Sequence, residues 1–91
     1  MKILILGGGF QQLPAIRKAH ELGLTVLLVD YLPDAPGRSE TDQSFLISTR
    51  DKDKILELAR KEDVNGILAF ASDPAEETAA YVAEKMGLPG G

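Results

Sequence analysis

The sequence predicts an α/β protein with a small, open parallel sheet of four strands, in the spatial order 3-2-1-4. Three observations predict this class. An apolar run at residues 3–6 ends in three consecutive glycines and is followed by a helix pattern. A second apolar run, at residues 25–29, leads into Asp30, and two more strand patterns follow, each before a helix. Continuous apolar runs are typical of strands covered on both faces, as in parallel sheets. The predicted element order is therefore β-α-β-β-α-β-α.

The first unit is a strand, a helix and a second strand. After the glycines, one side of the predicted helix is apolar, and it carries Leu13, Ala15, Ile16, Ala19 and Leu22. Its other side carries Arg17, Lys18 and Glu21, which makes the helix amphipathic. Gly23 follows as a C-terminal cap. A right-handed crossover joins the two strands of such a unit.

The segment between the second and third strands lacks the usual crossover helix. Pro33, Asp34, Pro36 and Gly37 are expected to break any helix there. A short third strand is predicted at residues 44–48.

The second half of the chain repeats the helix and strand patterns. A helix is predicted at residues 51–62, a turn at 63–66 and the fourth strand at 67–71. The last helix is predicted to begin with Asp73 as N-cap and Pro74 at the first helical position, with Glu76 completing a box-like start. Ala75, Ala79, Val82 and Met86 form its apolar face, and Gly87 with Pro89 ends it.

Composition limits the classes of partner. The 91 residues suit a single domain, and the formal charge is −4 with no clustering of Lys and Arg, which argues against nucleic-acid binding. The mixed-charge run at residues 50–54 is typical of a solvated helix face. The absence of cysteine excludes disulfides and thiolate sites. The apolar run at 3–6 is too short for a signal peptide or a membrane span, so a cytoplasmic protein without a membrane partner is expected.

Topology alone predicts where a ligand binds. In open parallel sheets, ligands lie at the carboxyl ends of the strands where the strand order reverses, which here falls between the first and fourth strands. Two loops and the end of the second strand meet there. The candidate substrate- or anion-binding residues are Gly7, Gly8, Gly9, Phe10, Gln11, Gln12, Asp30, Ser72 and Asp73. No catalytic residue and no metal ligand is predicted in the chain.

The three glycines suggest an anion site. Without side chains, the backbone can turn sharply and bring N–H groups close to a phosphate or carboxylate, and the following helix adds its positive end. The alternative is that the glycines only permit a tight turn between strand and helix. The same two interpretations apply to Asp73, for which helix capping alone is a sufficient explanation.

A dinucleotide fingerprint is only partly present. Gly7 and Gly9 match G-x-G-x-x-G, but Gln12 occupies the third glycine position, where close helix–strand packing needs a small residue. Asp30 follows the glycines at about the sequence spacing of the acid that accepts a ribose hydroxyl in dinucleotide-binding proteins. A stand-alone Rossmann-like module that binds NAD or another nucleotide for regulation is therefore the alternative function.

The remaining polar candidates have simpler explanations. His20 has no Ser or Cys partner in a recognisable arrangement, so a packed or surface histidine is expected. Arg38 and Asp42, in the proline-rich segment, could cover the site, although solvated loop residues are the commoner outcome.

Taken together, these motifs resemble a known family. They are residues 2–9 with Gln11 to Pro14, the segment 29–37, Thr41 and Asp42 before the third strand, and residues 79–90. In that order, and with no second crossover helix, they resemble the N-terminal (pre-ATP-grasp) domain of ATP-grasp carboxylate–amine ligases. That family includes carbamoyl-phosphate synthetase, biotin carboxylase and the purine ligases.

The resemblance implies a division of labour. The first domain of these ligases helps to hold a small carboxylate or amine substrate, and later domains bind ATP and magnesium. Residues 1–91 are therefore expected to form one such domain without its ATP-binding catalytic part, inactive alone and without a cofactor of its own. Family members often dimerise through this region, which makes a homodimer a further expectation. Purine members often carry Glu-Leu-Gly or Gln-Leu-Gly where Phe10, Gln11 and Gln12 stand, so a substrate outside the purine pathway is expected.

Overall fold

The sheet has the predicted strand order. The computed structural model describes residues 1–69 and 73–88, without the side chain of Asp73. All neighbouring strands pair in parallel, in the order β3-β2-β1-β4. The strands are β1 Lys2–Leu6, β2 Thr25–Asp30, β3 Gln43–Leu46 and β4 Gly66–Ala69.

The pairing register brings the ends of the strands together. Leu6 at the end of β1 pairs with Val29 of β2 and with Ala69 of β4. Asp30 at the end of β2 pairs with Leu46 at the end of β3. The loops after β1 and β2 therefore leave the sheet side by side, at what we call the carboxyl edge.

Three α-helices follow the strands β1, β3 and β4, and their ends follow local signals. They are α1 Leu13–Glu21, α2 Lys52–Glu62 and α3 Asp73–Met86. Gly23, with a φ of 78°, follows α1 as predicted, since glycine adopts positive φ without steric cost. The side chain of Asp51 caps α2 by accepting the amide hydrogen of Lys54 at 3.4 Å.

The helices cover both faces of the sheet, which explains the continuous apolar runs. The helices α2 and α3 pack on one face, where the largest buried side chains are Leu4, Leu6, Leu27, Val29, Ile55, Ile67 and Val82. The helix α1 covers the other face, over the cluster Ile5, Ile16, Ala19, Val26 and Leu28. Successive strand residues point to opposite faces, so strands covered on both sides alternate between the two clusters.

Two strand boundaries differ from the prediction. The strand β3 begins and ends earlier than residues 44–48, because its only neighbour β2 ends at Asp30, opposite Leu46. The strand β4 begins at Gly66 and is described to Ala69, so the predicted end at residue 71 lies outside the described residues.

The segment between β2 and β3 is not free of helix. A 3-10 helix, Pro36–Glu40, lies where the prolines were expected to break any helix. The expectation failed because Pro36 stands at the first helical position, where its fixed φ and missing N–H are tolerated. No α-helix lies in this segment of the described chain. We call residues 35–42 the strap.

Among residues 1–69 and 73–88, no helix has both the length and the apolar character that crossing a bilayer requires.

Candidate functional site

In the glycine loop, residues 7–12, the local structure explains why two of the three glycines are needed. Gly7 has a φ of 96°, which a residue with a side chain rarely adopts. A Cβ on Gly8 would lie 2.6 Å from Cδ2 of Leu28, so a larger residue would force this buried side chain to move. The turn alone thus accounts for Gly7 and Gly8.

The first two amides of the loop donate to the protein itself. The amide of Gly7 donates to the carbonyl oxygen of Val29 at 2.7 Å. The amide of Gly8 donates to Oδ2 of Asp30 at 2.8 Å. A ligand therefore cannot use either donor without breaking a hydrogen bond of the fold. The loop offers fewer amide donors to an anion than the glycine pattern suggested.

The next three amides are the open donors. Gln12 donates to the carbonyl of Gly9 at 3.0 Å and closes a 3-10 turn, Phe10–Gln12, that leads into α1. For the amides of Gly9, Phe10 and Gln11, the described part of the chain supplies no acceptor. Three successive N–H groups at the start of a helical segment form the arrangement that holds anions in α/β proteins.

Gln12 is enclosed within the loop. It is only 7% exposed, and a Cβ on Gly9 would lie 3.2 Å from its Oε1. Its side-chain amide also lies against Gly7. The dinucleotide fingerprint has a glycine at this position, so here a folded-in amide side chain takes the place of open backbone.

Asp30 supports the loop from the end of β2. It is 8% exposed, and each carboxylate oxygen accepts a backbone amide at 2.8 Å, Oδ2 from Gly8 and Oδ1 from Leu32. The guanidinium of Arg38 donates to the carbonyl oxygens of Asp30 and Leu32. The side chain that the sequence suggested for a ribose hydroxyl is thus occupied in tying two loops together.

The strap covers the glycine loop, a relationship that sequence analysis raised only for Arg38 and Asp42. The amide of Gly37 donates to the carbonyl oxygen of Gly8 at 2.7 Å. The contact between them is tight, because a Cβ on Gly37 would lie 3.1 Å from that oxygen and 2.9 Å from Cδ1 of Ile16. The signal in the sequence was Gly37 itself, a small residue in a proline-rich segment.

Two side-chain contacts join the strap to α1, an ion pair and a hydrogen bond. Arg17 forms a bidentate salt bridge with Glu40, in which Nε donates to Oε1 at 2.8 Å and Nη2 donates to Oε2 at 2.9 Å. Nε2 of His20 lies 2.9 Å from Oδ2 of Asp42, so His20 is a surface histidine with a partner. The backbone amide of Val26 and then the contact with His20 lower the pKa of Asp42 below its ordinary value of 3.8. Hydrogen bonds to the charged carboxylate favour the ionised form.

The carboxyl edge also carries exposed apolar side chains. Phe10 is 77% exposed and Tyr31 is 66% exposed. Leu32 and Leu46 are exposed at the same edge, after β2 and at the end of β3. Isolated exposed apolar residues are ordinary, but several at one sheet edge beside free amide donors favour a surface that is covered in use.

Sequence analysis also missed a cleft between the N-terminal halves of α2 and α3. Its volume is ≈ 440 Å³, and its lining includes Arg50, Lys52, Thr78 and Tyr81. The mixed charges of residues 50–54 gave no signal for it, because a cleft between helices distant in sequence depends on tertiary packing.

Two predicted site residues are not decided by the structure. Ser72 lies outside the described residues, and only the backbone of Asp73 is described, as the first residue of α3. Their predicted contact with a ligand, and the capping role of Asp73, remain predictions.

Comparison with curated proteins finds relatives of one kind. The chain is 32% identical over 88 residues to the formate-dependent phosphoribosylglycinamide formyltransferase of Sulfurovum sp. (strain NBC37-1). The alignment covers 97% of this chain and 22% of the relative. The same enzyme of Wolinella succinogenes is 34% identical over 68 residues, covering 75% of this chain and 18% of the relative. The chain thus spans about a fifth of the length of the curated relatives it matches. No protein-family model matches it.

Solved structures share the fold. Phosphoribosylglycinamide synthetase from Anaerococcus prevotii superimposes with a TM-score of 0.85 at 23% identity, over 97% of this chain and 23% of that one. N5-carboxyaminoimidazole synthetase from Staphylococcus aureus, complexed with ADP, gives 0.78 at 21% identity, over 92% and 22%. The fold is not confined to such synthetases, since UDP-glucose 4-epimerase from Thermus thermophilus, in complex with NAD, gives 0.75 at 19% identity, over 97% and 35%.

Proposed function

We propose that this chain binds the substrate of an ATP-dependent carboxylate–amine ligase. The chain is a relative of ATP-grasp ligases and resembles their N-terminal domain, as its sequence predicted. One observation carries the proposal. The amides of Gly9, Phe10 and Gln11 are open donors at the carboxyl edge, at the point where the strand order reverses.

The chemistry of the loop favours binding over catalysis. Backbone amides can hold the carboxylate or phosphate of a substrate, but they cannot act as a nucleophile or a general base. In a carboxylate–amine ligase, ATP activates the carboxylate as an acyl phosphate before the amine attacks. In this proposal ATP and magnesium are bound by the remainder of such a ligase, and residues 1–91 alone are inactive. The proposed location is the cytoplasm.

The substrate of this chain is proposed to differ from that of the purine enzymes. Phe10 is 77% exposed and its side chain can form neither a hydrogen bond nor a salt bridge with an amine, whereas the purine members often carry an acid or an amide at this point of the loop. The exposed aromatic ring favours a substrate with an apolar portion next to its anionic group.

The test removes one amide without straining the loop. Gly9 has a φ of −71°, which proline adopts readily, so Gly9→Pro deletes the N–H and keeps the backbone conformation. Gly9→Ala is the matched control, because it keeps the N–H and adds the same Cβ near Gln12. Inorganic phosphate and acetate are titrated into ¹⁵N-labelled chain, and amide shifts of residues 9–11 give the Kd.

We expect saturable shifts at residues 9–11 in the parent chain and in Gly9→Ala. In Gly9→Pro, the Kd rises by about tenfold, as one charge-assisted hydrogen bond requires. Equal binding by both variants contradicts the proposal. A second assay, with ATP, magnesium and a carboxylate–amine pair, is expected to yield no ADP, and turnover would show that the domain is active alone.

The alternative is the Rossmann-like module that binds NAD. The Thermus thermophilus epimerase shows that this fold accommodates NAD, but in this chain Gln12 fills the third glycine position and Asp30 already holds two amides. Calorimetric titration with NAD and AMP separates the two functions, since micromolar NAD binding favours the alternative.

We further propose that the chain forms a homodimer. Among the described strands, β3 has a neighbour on one side only, and Leu46 on it is 63% exposed, so a second copy could cover this edge. Sedimentation velocity over a wide concentration range tests this, and a monomer at high concentration contradicts it.

A further inference from the structure

The cleft between α2 and α3 has the dimensions of a small-molecule site. Its volume is ≈ 440 Å³, within the range of about 300–1,000 Å³ that is usual for ligand pockets. The residues lining it are Arg50, Lys52, Pro74, Glu77, Thr78 and Tyr81. None of them belongs to the glycine loop, and the helices α2 and α3 cover the opposite face of the sheet from α1.

Two cations face this cleft without an ionic partner. In the described part of the chain, Arg50 and Lys52 take part in no salt bridge. Nζ of Lys52 instead lies 4.8 Å from the centroid of the Tyr81 ring. A guanidinium and an ammonium, neither of them in a salt bridge within the described residues, therefore line one concave volume.

Two carboxylates near the cleft have partners of their own and are not among the residues that line it. Asp51 lies 3.7 Å from Nζ of Lys54 and caps α2, and Asp53 accepts the hydroxyl of Tyr81 at 3.3 Å. Glu77 is the one acid in the described lining, against two cations. The balance of charge therefore favours an anionic occupant.

The wall of the cleft is polar and ordered. Thr78 is 4% exposed and Tyr81 is half-buried, with its ring held by the hydrogen bond to Asp53. Thr78 and Tyr81 lie one turn apart on α3, facing the start of α2. A ligand that binds the two cations would contact this wall.

We propose that this cleft is a second binding site, for a small oxyanion ligand such as a phosphate or a carboxylate. The guanidinium of Arg50 can donate two parallel hydrogen bonds to an oxyanion, and Lys52 adds a compact positive charge. None of the residues that line the cleft belongs to the glycine loop, and the two proposals rest on different observations.

The composition of the chain permits a selective test. The chain has two tyrosines and no tryptophan, so Tyr31→Phe leaves Tyr81 as the sole source of tyrosine fluorescence. Inorganic phosphate and succinate are titrated into this variant at ionic strength held constant with sodium chloride. Movement of Lys52 away from the ring should change the emission of Tyr81, and ¹⁵N spectra report Arg50, Lys52 and Thr78 together.

We expect a saturable change with at least one of the two anions, and none with chloride. Arg50→Gln and Lys52→Gln should each raise the Kd by about tenfold, the effect of losing one charge-assisted hydrogen bond. Arg60→Gln is the matched control, since Arg60 is an exposed cation at the other end of α2 and should leave the Kd unchanged.

Three results would overturn this site. They are a fluorescence change that chloride reproduces, a Kd that Arg50→Gln and Lys52→Gln leave unaltered, and amide shifts confined to residues 9–11. The last of these would support the glycine loop alone, whereas shifts confined to the cleft would support this site and contradict the loop. Circular dichroism of each variant confirms that the compared proteins are folded.

Discussion

The carboxylate of Asp30 accepts the amide hydrogen of Gly8, 22 residues earlier in the chain, at 2.8 Å. Its other oxygen accepts the amide hydrogen of Leu32 at the same distance. One buried side chain thus fixes the loop after β1 to the loop after β2. Any ligand at this edge meets a surface whose shape Asp30 maintains.

Replacing Asp30 should therefore weaken the fold. Asp30→Ala leaves the amides of Gly8 and Leu32 without acceptors, and we expect the free energy of unfolding to fall by roughly 2–4 kcal/mol. Asp30→Asn keeps one acceptor oxygen and should cost less. Urea titrations at pH 7 measure both variants, and unchanged stability in Asp30→Ala would contradict the role of Asp30 in holding the two loops.

The contact between strap and glycine loop predicts a packing effect. In Gly37→Ala, the new Cβ would lie 2.9 Å from Cδ1 of Ile16 and 3.2 Å from Cα of Gly8. We expect a loss of about 1–3 kcal/mol, as for other overpacked sites. Ser39→Ala, an exposed position of the same strap, is the control and should change stability by less than about 0.5 kcal/mol. Amide exchange at residues 7–9 should rise in Gly37→Ala alone.

Arg38 should contribute through the two carbonyl groups that it holds. Arg38→Met keeps much of the side-chain volume but removes the donors to Asp30 and Leu32. We expect a loss of about 1–2 kcal/mol, since hydrogen bonds to charged groups are stronger than neutral ones. Arg60→Met, on an exposed face of α2, provides the comparison. Similar losses in both variants would assign no specific role to the contacts of Arg38.

Acid should weaken the attachment of the strap to α1. The amide of Val26 and the contact with His20 lower the pKa of Asp42, and Arg17 lowers the pKa of Glu40. A lowered pKa in the folded state means that the unfolded chain binds protons first, so the contribution to stability is present at neutral pH. It is lost as the pH falls below the ordinary values of 4.5 for Glu40 and 3.8 for Asp42.

The urea midpoint, measured from pH 7 to pH 2.5, checks this dependence. Asp42→Asn should flatten the acid limb of the curve, because the variant has no carboxylate to protonate there. A parallel curve for the parent chain and the variant would contradict the assignment. Both groups are partly solvent-exposed, so the change should also shrink in high salt.

Much of the fold could be predicted from local patterns. The apolar runs at 3–6 and 25–29 predicted strands buried on both faces, and Gly23 and Gly87 predicted two helix ends. The strand order followed from the chirality of parallel crossovers and the family resemblance. The limits of β3 could not be predicted this way, because they depend on the length of its partner β2.

The candidate site was harder to predict than the fold. The glycine pattern located the loop but did not show which amides the protein uses for itself, since that depends on Val29 and Asp30 across the sheet. From the sequence, only Arg38 and Asp42 suggested that the strap covers the site. The strap contacts Gly8 through the amide of Gly37, which is 29 residues away in the chain. The cleft at Arg50 and Lys52 left no local signal, because α3 supplies most of its lining.

The central position of β1 has a consequence for how the chain folds during synthesis. Ile3 pairs with Val26 on one side and with Gly66 on the other, so the strand made first has its second neighbour only some 60 residues later. At about 5–20 residues per second, a nascent chain exposes one side of this apolar strand for roughly 3–12 s. During that interval Leu4 and Leu6 lack the residues of β4 that later bury them, and α2 on the same face is made only shortly before β4. A bound chaperone would therefore protect the nascent protein from aggregation.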